Sequence, residues 1–257
     1  MKYSLGADIM YVGVGKTGPI WPETEGILEA MELAKENGLD MIEFFGWEGR
    51  DLEKIRQRSI ELNIPVLSVV AKNGSLAGVK GKEEAFFGGL MESIPAAKAL
   101  GAKALVVNCN DAKTETDREA ALERIADELK EAAASVTKAG IEIWLEPISG
   151  EFFRSSKEAI TIIDTVGSDN VRLLFDIYHM QMIEGNICNT IRDNLDRIGH
   201  IHGAGAPARC ELTVGELNYP YILQFLKDIG YERDFGLEFF TFENRRQKVS
   251  DSCSILI

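Results

Sequence analysis

The sequence predicts an α/β protein with one domain, a (β/α)8 TIM barrel that spans residues 1–257. Short apolar runs alternate with amphipathic helical stretches from one end of the chain to the other. The chain has 257 residues, and one such barrel needs about 250 residues. No linker, low-complexity tract or shift in composition divides it. An open sheet with seven or eight strands is the structural alternative.

Eight short apolar runs predict the strands of the barrel. Each run is apolar on both faces, which is typical of parallel strands that are covered on both sides. The predicted strands are residues 3–8, 40–45, 66–70, 103–108, 141–146, 171–176, 198–203 and 235–240.

Amphipathic stretches between these runs predict seven crossover helices. They cover residues 24–37, 51–62, 83–100, 117–139, 155–166, 187–195 and 219–229. Glycine follows four of them, as expected where a helix ends in a left-handed residue: Gly38, Gly101, Gly140 and Gly230. Asp51 and Asn218 are the expected N-caps of the second and seventh helices. An eighth helix can come only from the last residues, 245–257, whose pattern is weak.

The charge balance excludes several classes of partner. The chain has 28 Lys and Arg against 41 Asp and Glu, for a net charge of −13. Such a surface repels phosphate backbones and anionic lipid, so neither nucleic acid nor membrane is an expected partner. No apolar run is long enough to span a bilayer, and the N-terminus is too polar for a signal peptide. Four scattered cysteines without a CxxC pair fit reduced thiols, so we expect a cytoplasmic protein.

Two familiar motifs fail on inspection. Residues 13–17 read GVGKT, but a Walker loop needs a glycine at position 10, where Met10 stands. Pro19 and Pro22 also prevent the helix that should follow immediately. We interpret this segment as the loop of the first βα unit. Neither a GxSxG elbow nor a GxGxxG turn between strand and helix is present, which disfavours a serine hydrolase and a nicotinamide enzyme.

Four successive predicted strands carry an ionisable side chain at or near their carboxyl ends. These side chains are Glu146, Asp176, His202 and Glu238, each about one βα unit from the next. Active sites of such barrels lie at the carboxyl ends of the strands, so we expect the four groups to line one part of the barrel mouth.

A divalent cation would resolve the repulsion between three converging carboxylates. Three oxygen ligands and one imidazole suit Mn²⁺ or Mg²⁺, with Co²⁺ as an alternative, and the absence of a thiolate argues against structural zinc. The chain has only three histidines, His179, His200 and His202. All of them fall in or just after two of the predicted strands, 171–176 and 198–203. His200 and His202 are two residues apart and should face the same side of their strand.

The sequence resembles the xylose isomerase-like barrel superfamily and, within it, the hydroxypyruvate isomerase family. The resemblance is clearest from 141 to 238 and is weaker in the N-terminal half, where it is carried by pattern, as in GLDMIEF at 38–44. The segments that carry it are WLEP (144–147), FDIYHMQ (175–181), EGN (184–186), IRD (191–193), GHIH (199–202), PAR (207–209), GELNYP (215–220) and GLE (236–238).

This resemblance implies roles for six residues. Glu146 and Glu238 correspond to paired catalytic glutamates that also bind the metal, and Asp176 and His202 correspond to the other two metal ligands. His179 and Arg209 correspond to substrate-binding residues. Glu43 and Asn108, at the ends of the second and fourth strands, are further candidates for substrate contact, with a polar strand end of no function as the alternative.

The implied reaction is a proton transfer between carbons adjacent to a carbonyl, through an enediolate. Return of the proton to the neighbouring carbon gives an aldose–ketose isomerisation of the hydroxypyruvate to tartronate semialdehyde type. Return to the same carbon from the other face gives a ketose 3-epimerase. Hydroxypyruvate isomerases often carry glutamine where His202 stands, whereas the 3-epimerases carry histidine. The expected partner is a small sugar or sugar acid, and because relatives are commonly dimers or tetramers, a homo-oligomer is compatible with the resemblance.

Two other classes are less consistent with the residues. A nuclease of the endonuclease IV type holds a cluster of zinc ions on many histidines, and three histidines with a net charge of −13 argue against it. A sugar-binding barrel without catalysis has no need for paired glutamates at a metal.

Overall fold

The computed structural model describes residues 1–15 and 18–256, and it describes side chains outside 14–19. Lys16 and Thr17 of the GVGKT segment therefore lie outside the described residues. The strands are β1 (Tyr3–Gly6), β2 (Gly13–Gly15), β3 (Gly18–Ile20), β4 (Met41–Phe44), β5 (Val66–Val70), β6 (Ala104–Val107), β7 (Glu142–Leu145), β8 (Val171–Asp176), β9 (Ile198–Gly203) and β10 (Phe235–Leu237).

Helices follow the barrel strands and cover the outside of the sheet. They are α1 (Ala7–Tyr11), α2 (Thr24–Glu36), α3 (Leu52–Leu62), α4 (Glu83–Leu100), α5 (Arg118–Ala139), α6 (Ser156–Val166), α7 (Ile177–Ile183), α8 (Ile187–Asp193), α9 (Tyr219–Asp228) and α10 (Arg245–Cys253). In the described part of the chain, no helix is both long and apolar enough to cross a membrane.

Eight parallel strands close into the predicted barrel. Their order is β1, β4, β5, β6, β7, β8, β9 and β10, and β10 pairs in parallel with β1 to close the ring. This closure excludes the open sheet. Strands β2 and β3 also pair as a small antiparallel sheet between α1 and α2.

The predicted elements are present, and their ends differ where tertiary contacts intervene. The first strand ends at Gly6 instead of residue 8, because the chain turns into α1, where Asp8 accepts a hydrogen bond from the Phe45 backbone N–H. The last strand ends at Leu237 instead of 240, and Phe240 N–H donates to the carbonyl of Arg209 at 2.9 Å. The weak C-terminal pattern forms α10.

Local capping explains where several helices begin and end. The carboxylate of Asp51 accepts from the Lys54 N–H, and the Asn218 side chain accepts from the Tyr221 N–H, as predicted for N-caps. Gly101 and Gly140 end α4 and α5 with φ near +70°, a conformation that glycine adopts without steric cost.

The core has two layers, and the inner one prepares the site. The larger layer lies between strands and helices and is formed by every second residue of each strand, such as Leu145. The inner layer fills the barrel with apolar side chains: Met41, Leu67, Ala104, Val106, Trp144 and Leu174. Because strand side chains alternate, the residues two positions after Trp144 and Leu174 point into the barrel mouth. Those residues are Glu146 and Asp176.

One carboxylate is buried outside the barrel mouth, between α5 and the loop after β5. Glu128 is 5% exposed, and its Oε2 accepts from the Gly78 N–H at 2.7 Å. Its Oε1 is buried and has no hydrogen-bond partner among the described residues. Burial is the main cause that raises the pKa of Glu128 to about 7.

We expect Glu128→Gln to stabilise the protein at pH 8 but not at pH 5. The folded protein keeps a proton on Glu128 up to about pH 7, whereas the unfolded chain loses it near pH 4.5, so the stability falls as the pH rises through this window. After allowance for solvent screening, the gain at pH 8 should be about 1 kcal/mol. Urea unfolding at both pH values measures it, with the exposed Glu131→Gln on the same helix as the control. An equal effect of Glu128→Gln at pH 5 and pH 8 would contradict this account.

Candidate active site

The structure brings together the four side chains that the strand ends predicted to meet. Glu146 follows β7, Asp176 ends β8, His202 lies in β9, and Glu238 follows β10. All four are buried, and one ligand atom from each lies within 4.8 Å of the others. The register explains this grouping, because Asp176 pairs with His202, and His202 pairs with Gly236, two residues before Glu238.

The two glutamates of this cluster differ in protonation. Burial and the neighbouring charge of Glu238 raise the pKa of Glu146 to about 8. Burial acts in the same direction on Glu238, but the positive charges of His202 and Arg209 outweigh it and lower the pKa of Glu238 to about 2. At neutral pH and without a cation, Glu146 holds a proton and Glu238 is ionised. Environments that separate the pKa values of two carboxyls are typical of acid–base sites.

Arg209 supplies a positive charge beside the acidic cluster. Its Nη2 donates to Asp176 Oδ2 at 3.2 Å and also to Glu238 Oε2. The guanidinium lies over the rings of Tyr178 and Phe240, 5.4 and 5.9 Å from their centres. Arg209 lies in the loop after β9 and has a left-handed φ of 50°. This arrangement partly neutralises two of the three carboxylates.

The cluster contains possible ligand atoms that lack hydrogen-bond partners, and this set of atoms fits a divalent cation. No described hydrogen-bond donor reaches the buried carboxylate of Glu146. His202 Nδ1 is buried and makes no hydrogen bond to a described residue, although it lies 3.3 Å from Glu238 Oε2 and 3.9 Å from Glu146 Oε1. Buried polar atoms without partners are costly. Three carboxylates and one imidazole nitrogen are a suitable ligand set for a hard or intermediate divalent ion.

His179 is placed by a short helix that the sequence analysis did not predict. Asp176 Oδ1 caps α7 by accepting from the N–H groups of Tyr178 and His179, at 2.7 and 3.2 Å. An aspartate at the end of a predicted strand was the available signal, because aspartate is a favoured N-cap.

The orientation of the His179 ring follows from Ser149. The Ser149 N–H donates to Nδ1 of His179 at 3.3 Å, and the Ser149 hydroxyl lies 3.0 Å from the same nitrogen. A backbone N–H can only donate, so Nδ1 is the acceptor and the ring proton is on Nε2. Burial lowers the pKa of His179, which keeps the ring neutral at pH 7. Its Nε2–H lies beside the cavity without a hydrogen-bond partner among the described residues.

Glu43, for which substrate contact and a polar strand end of no function were both left open, does not line the cavity. Its side chain is buried below the cluster, and both carboxylate oxygens are engaged. Oε1 accepts from the Ser4 hydroxyl at 2.5 Å and lies 3.0 Å from His200 Nε2. Oε2 accepts from the Ser68 hydroxyl at 2.6 Å and lies 3.4 Å from His202 Nε2. Burial raises the pKa of Glu43, but the two histidines outweigh it and hold the pKa well below its usual range.

A cavity of about 920 Å³ opens above the cluster. Glu146, Glu238, His179 and Arg209 line its inner end, and Asn108 lines it as well, as expected for a residue after β6. Asn108 Oδ1 accepts from the Asn110 N–H at 3.3 Å, which orients the amide.

The outer wall of the cavity contains residues that the sequence analysis missed. Trp21 and Phe45 meet edge to face with ring centres 5.3 Å apart. Arg50 forms a two-pronged ion pair with the buried carboxylate of Asp8 and donates to the Pro22 carbonyl at 2.8 Å. Asp8 ends the predicted strand 3–8, so the strand-end rule that found Glu146 could also have found it.

Comparison with known proteins gives a family and several relatives. The family model described as "Xylose isomerase-like TIM barrel" matches residues 31–257. The hydroxypyruvate isomerase of Escherichia coli (strain K12) is 31% identical over 226 residues, which are 82% of this chain and 87% of that protein. The 2-oxo-tetronate isomerase of Cupriavidus necator is 31% identical over 169 residues, which are 64% of this chain and 65% of that protein.

A solved structure shows the same fold at lower identity. The crystal structure titled "AP endonuclease, family 2 from Brucella melitensis" superimposes with a TM-score of 0.85 at 24% identity and covers 97% of this chain and 96% of that one. At this identity the likeness shows the fold alone. The family match and the closed barrel agree with the resemblance seen in the sequence, and the chain belongs to the xylose isomerase-like TIM barrel family.

Proposed function

We propose that this chain is a divalent-metal-dependent isomerase of a small hydroxy-keto acid or sugar. The observation that carries the proposal is the pair Glu146 and Glu238, buried at one end of a cavity with their pKa values separated. The names of the relatives, hydroxypyruvate isomerase and 2-oxo-tetronate isomerase, support a keto acid as the substrate. Mn²⁺ or Mg²⁺ is the proposed ion, with Co²⁺ as an alternative.

Glu146, Asp176, His202 and Glu238 would hold the ion. When bound, it would polarise the carbonyl and hydroxyl oxygens of the substrate. The protein's own part is proton transfer: one glutamate accepts the proton from the carbon next to the carbonyl, and a glutamate returns a proton to the neighbouring carbon. Both carboxyls belong to one cluster, so a substrate held at this end of the cavity meets both of them.

Three cavity residues supply the contacts that orient the substrate. The Arg209 guanidinium can hold a substrate carboxylate with two parallel hydrogen bonds. The neutral His179 ring directs Nε2–H beside the cluster, where it can donate to a substrate oxygen. Asn108 lines the same cavity and offers a polar amide. These contacts fix which carbon faces the glutamates.

A ketose 3-epimerase is the second candidate, and the residue that favours it is His202. The sequence carries histidine where hydroxypyruvate isomerases often carry glutamine.

The isomerase and epimerase reactions differ in the carbon to which the proton returns. Incubation of the Mn²⁺-loaded protein in D2O with hydroxypyruvate, 2-oxo-tetronates and free ketoses, followed by NMR, distinguishes them. We expect deuterium at the carbon that becomes the new carbinol of an isomerised keto acid. Retention of the ketose with deuterium at C3 would support the epimerase instead.

We expect Glu146→Gln and Glu238→Gln each to reduce kcat by roughly 10²- to 10⁴-fold, since each removes a group that transfers the proton. Steady-state kinetics with the best substrate of the panel measures the loss. The exposed Glu243→Gln, five residues after Glu238, is the matched control and should retain wild-type turnover. Wild-type turnover in Glu238→Gln would rule out the two-glutamate mechanism.

We expect the affinity for Mn²⁺ to rise with pH between pH 6 and pH 8. In the metal-free protein Glu146 holds a proton up to about pH 8. Burial lowers the pKa of His202, but the charges of Glu238 and Glu43 outweigh burial and hold that pKa well above its usual value. The ion must displace both protons, so Kd should fall by about ten- to a hundredfold per pH unit. Calorimetric titration of chelator-stripped protein in two buffers with different ionisation enthalpies measures both Kd and the protons released. A Kd that does not change between pH 6 and pH 8 would contradict this assignment. If metal analysis of the purified protein found two or three zinc ions per chain, this result would favour a nuclease of the endonuclease IV type over the isomerase.

A further inference from the structure

Glu43 forms the centre of a buried polar cluster just below the proposed metal ligands. It is 4% exposed and does not line the cavity. Each of its oxygens has one serine hydroxyl and one imidazole nitrogen as neighbours, so the carboxylate has a hydroxyl donor from β1 and another from β5. Such a group cannot contact a substrate, yet an ionised carboxylate is costly at this depth. The cluster therefore needs an explanation other than substrate contact or packing.

The sheet around Glu43 is built to admit its carboxylate. The register between β4 and β5 shifts at Ile42–Glu43, and this irregularity sets Glu43 opposite Ser68. On the other side, Gly236 of β10 leaves space that a side chain would fill. A Cβ at Gly236 would lie 2.6 Å from Glu43 Oε1 and 2.7 Å from His202 Cδ2. The missing side chain lets β4 and β9 interact across the barrel interior.

The contact with Glu43 orients His202. The Nε2 of His202 faces Glu43 Oε2 at 3.4 Å, and its Nδ1 faces Glu238 and Glu146. A carboxylate next to Nε2 favours the proton on that nitrogen, so Nδ1, which faces the acidic cluster, is the nitrogen that would give up its proton and bind the ion. Carboxylate partners of this kind fix the tautomer and the ring orientation of metal-binding histidines.

His200 holds the other half of the carboxylate. Its ring stacks on Trp144 of the inner core with centres 4.8 Å apart and an interplanar angle of 14°. Its Nε2 lies 3.0 Å from Glu43 Oε1. Because the Trp144 ring is fully buried, His200 is held by the rigid part of the barrel. The Glu43 carboxylate therefore has contacts that fix it on three strands: β1 through Ser4, β5 through Ser68 and β9 through His200.

We propose that Glu43 is a positioning residue that presents His202 Nδ1 to the divalent ion and so sets the affinity of the site for that ion. The inference rests on the proposed function, because it takes the ion to be bound by the cluster that contains His202. Ser4, Ser68 and His200 hold Glu43 in place, and none of the three belongs to the four proposed ligands. Glu43 contributes a negative charge next to the imidazole without being a ligand itself.

The test is direct measurement of Mn²⁺ binding to the full chain after removal of metal with a chelator. Electron paramagnetic resonance of free Mn²⁺ gives Kd and stoichiometry independently of activity. We expect one Mn²⁺ per chain in wild type and in Glu43→Gln, with Kd weakened by about 10- to 100-fold in the variant. The exposed Glu243→Gln should bind as wild type does. Ser68→Ala, which removes one hydrogen bond to Glu43, should weaken Kd by about three- to tenfold, and it decides the matter if Glu43→Gln does not fold.

The hydrogen bond from His202 Nε2–H to Glu43 is a second readout that a merely structural role would not change. With three histidines, long-range ¹⁵N–¹H correlation spectra of the Mg²⁺-loaded protein can be assigned by substitution. We expect His202 to carry its proton on Nε2 in both proteins, and we expect that proton signal to move upfield in Glu43→Gln, because the charged acceptor is gone. Equal Kd values in wild type, Glu43→Gln and Ser68→Ala would overturn the proposal. So would two Mn²⁺ per wild-type chain with one lost in Glu43→Gln, because Glu43 would then be a ligand. Wild-type protein that binds no divalent ion would instead refute the metal site of the proposed function.

Discussion

The structure depends on the burial of carboxylates at the carboxyl end of a closed barrel. Glu146, Asp176 and Glu238 are all buried, and their carboxylate oxygens come within 4.8 Å of one another. Their mutual repulsion would separate them if they were on mobile loops. The barrel prevents this, because each group follows or ends a strand that is hydrogen-bonded on both sides. Because the strands hold the three carboxylates in place, their negative charge must be balanced by a bound proton, by Arg209 or by a cation.

The same alternation that fills the barrel core also builds the site. Inward residues of β7 are Glu142, Trp144 and then, after the strand ends, Glu146. The Trp144 indole N–H donates to Glu142 at 2.6 Å, so the lower end of the strand is polar as well. The apolar layer between the two ends separates the carboxylates at the mouth from those at the base. A period-two pattern in sequence therefore fixes both the packing and the direction of the cluster side chains.

The grouping of the four cluster residues could be predicted because it needs only strand position and parallel pairing. The role of Glu43 could not, because it depends on contacts between residues that are 157 and 159 positions apart in the chain. In sequence, Glu43 and Glu146 look alike, since each is a carboxylate at the end of an apolar run. What separates them is a register shift beside Glu43 and the absence of a side chain at Gly236, and neither is visible before the sheet is assembled.

Short helices were the other feature that escaped prediction. Both α1 and α7 begin directly after a strand and have five and seven residues, too few to show a helical period. Each helix has an aspartate at or near its start: Asp8 forms a long-range ion pair with Arg50, and Asp176 caps the first turn of α7 locally. Where the apolar pattern is this short, contacts of a single side chain decide the conformation, and the sequence shows only the aspartate.

The two arginines that line the cavity differ in what holds them, and this difference bears on the substrate. Arg50 is paired with Asp8, a buried carboxylate outside the ligand cluster, so its charge is already balanced when an ion binds. Arg209 is paired with Asp176 and Glu238, two of the groups that the ion would take as ligands. A cation at the cluster would therefore compete with the guanidinium for the same oxygens and would leave Arg209 without these partners beside the glutamates. A single substrate carboxylate next to the reacting carbon would then satisfy that arginine, which is the charge arrangement of the small keto acid proposed as the substrate.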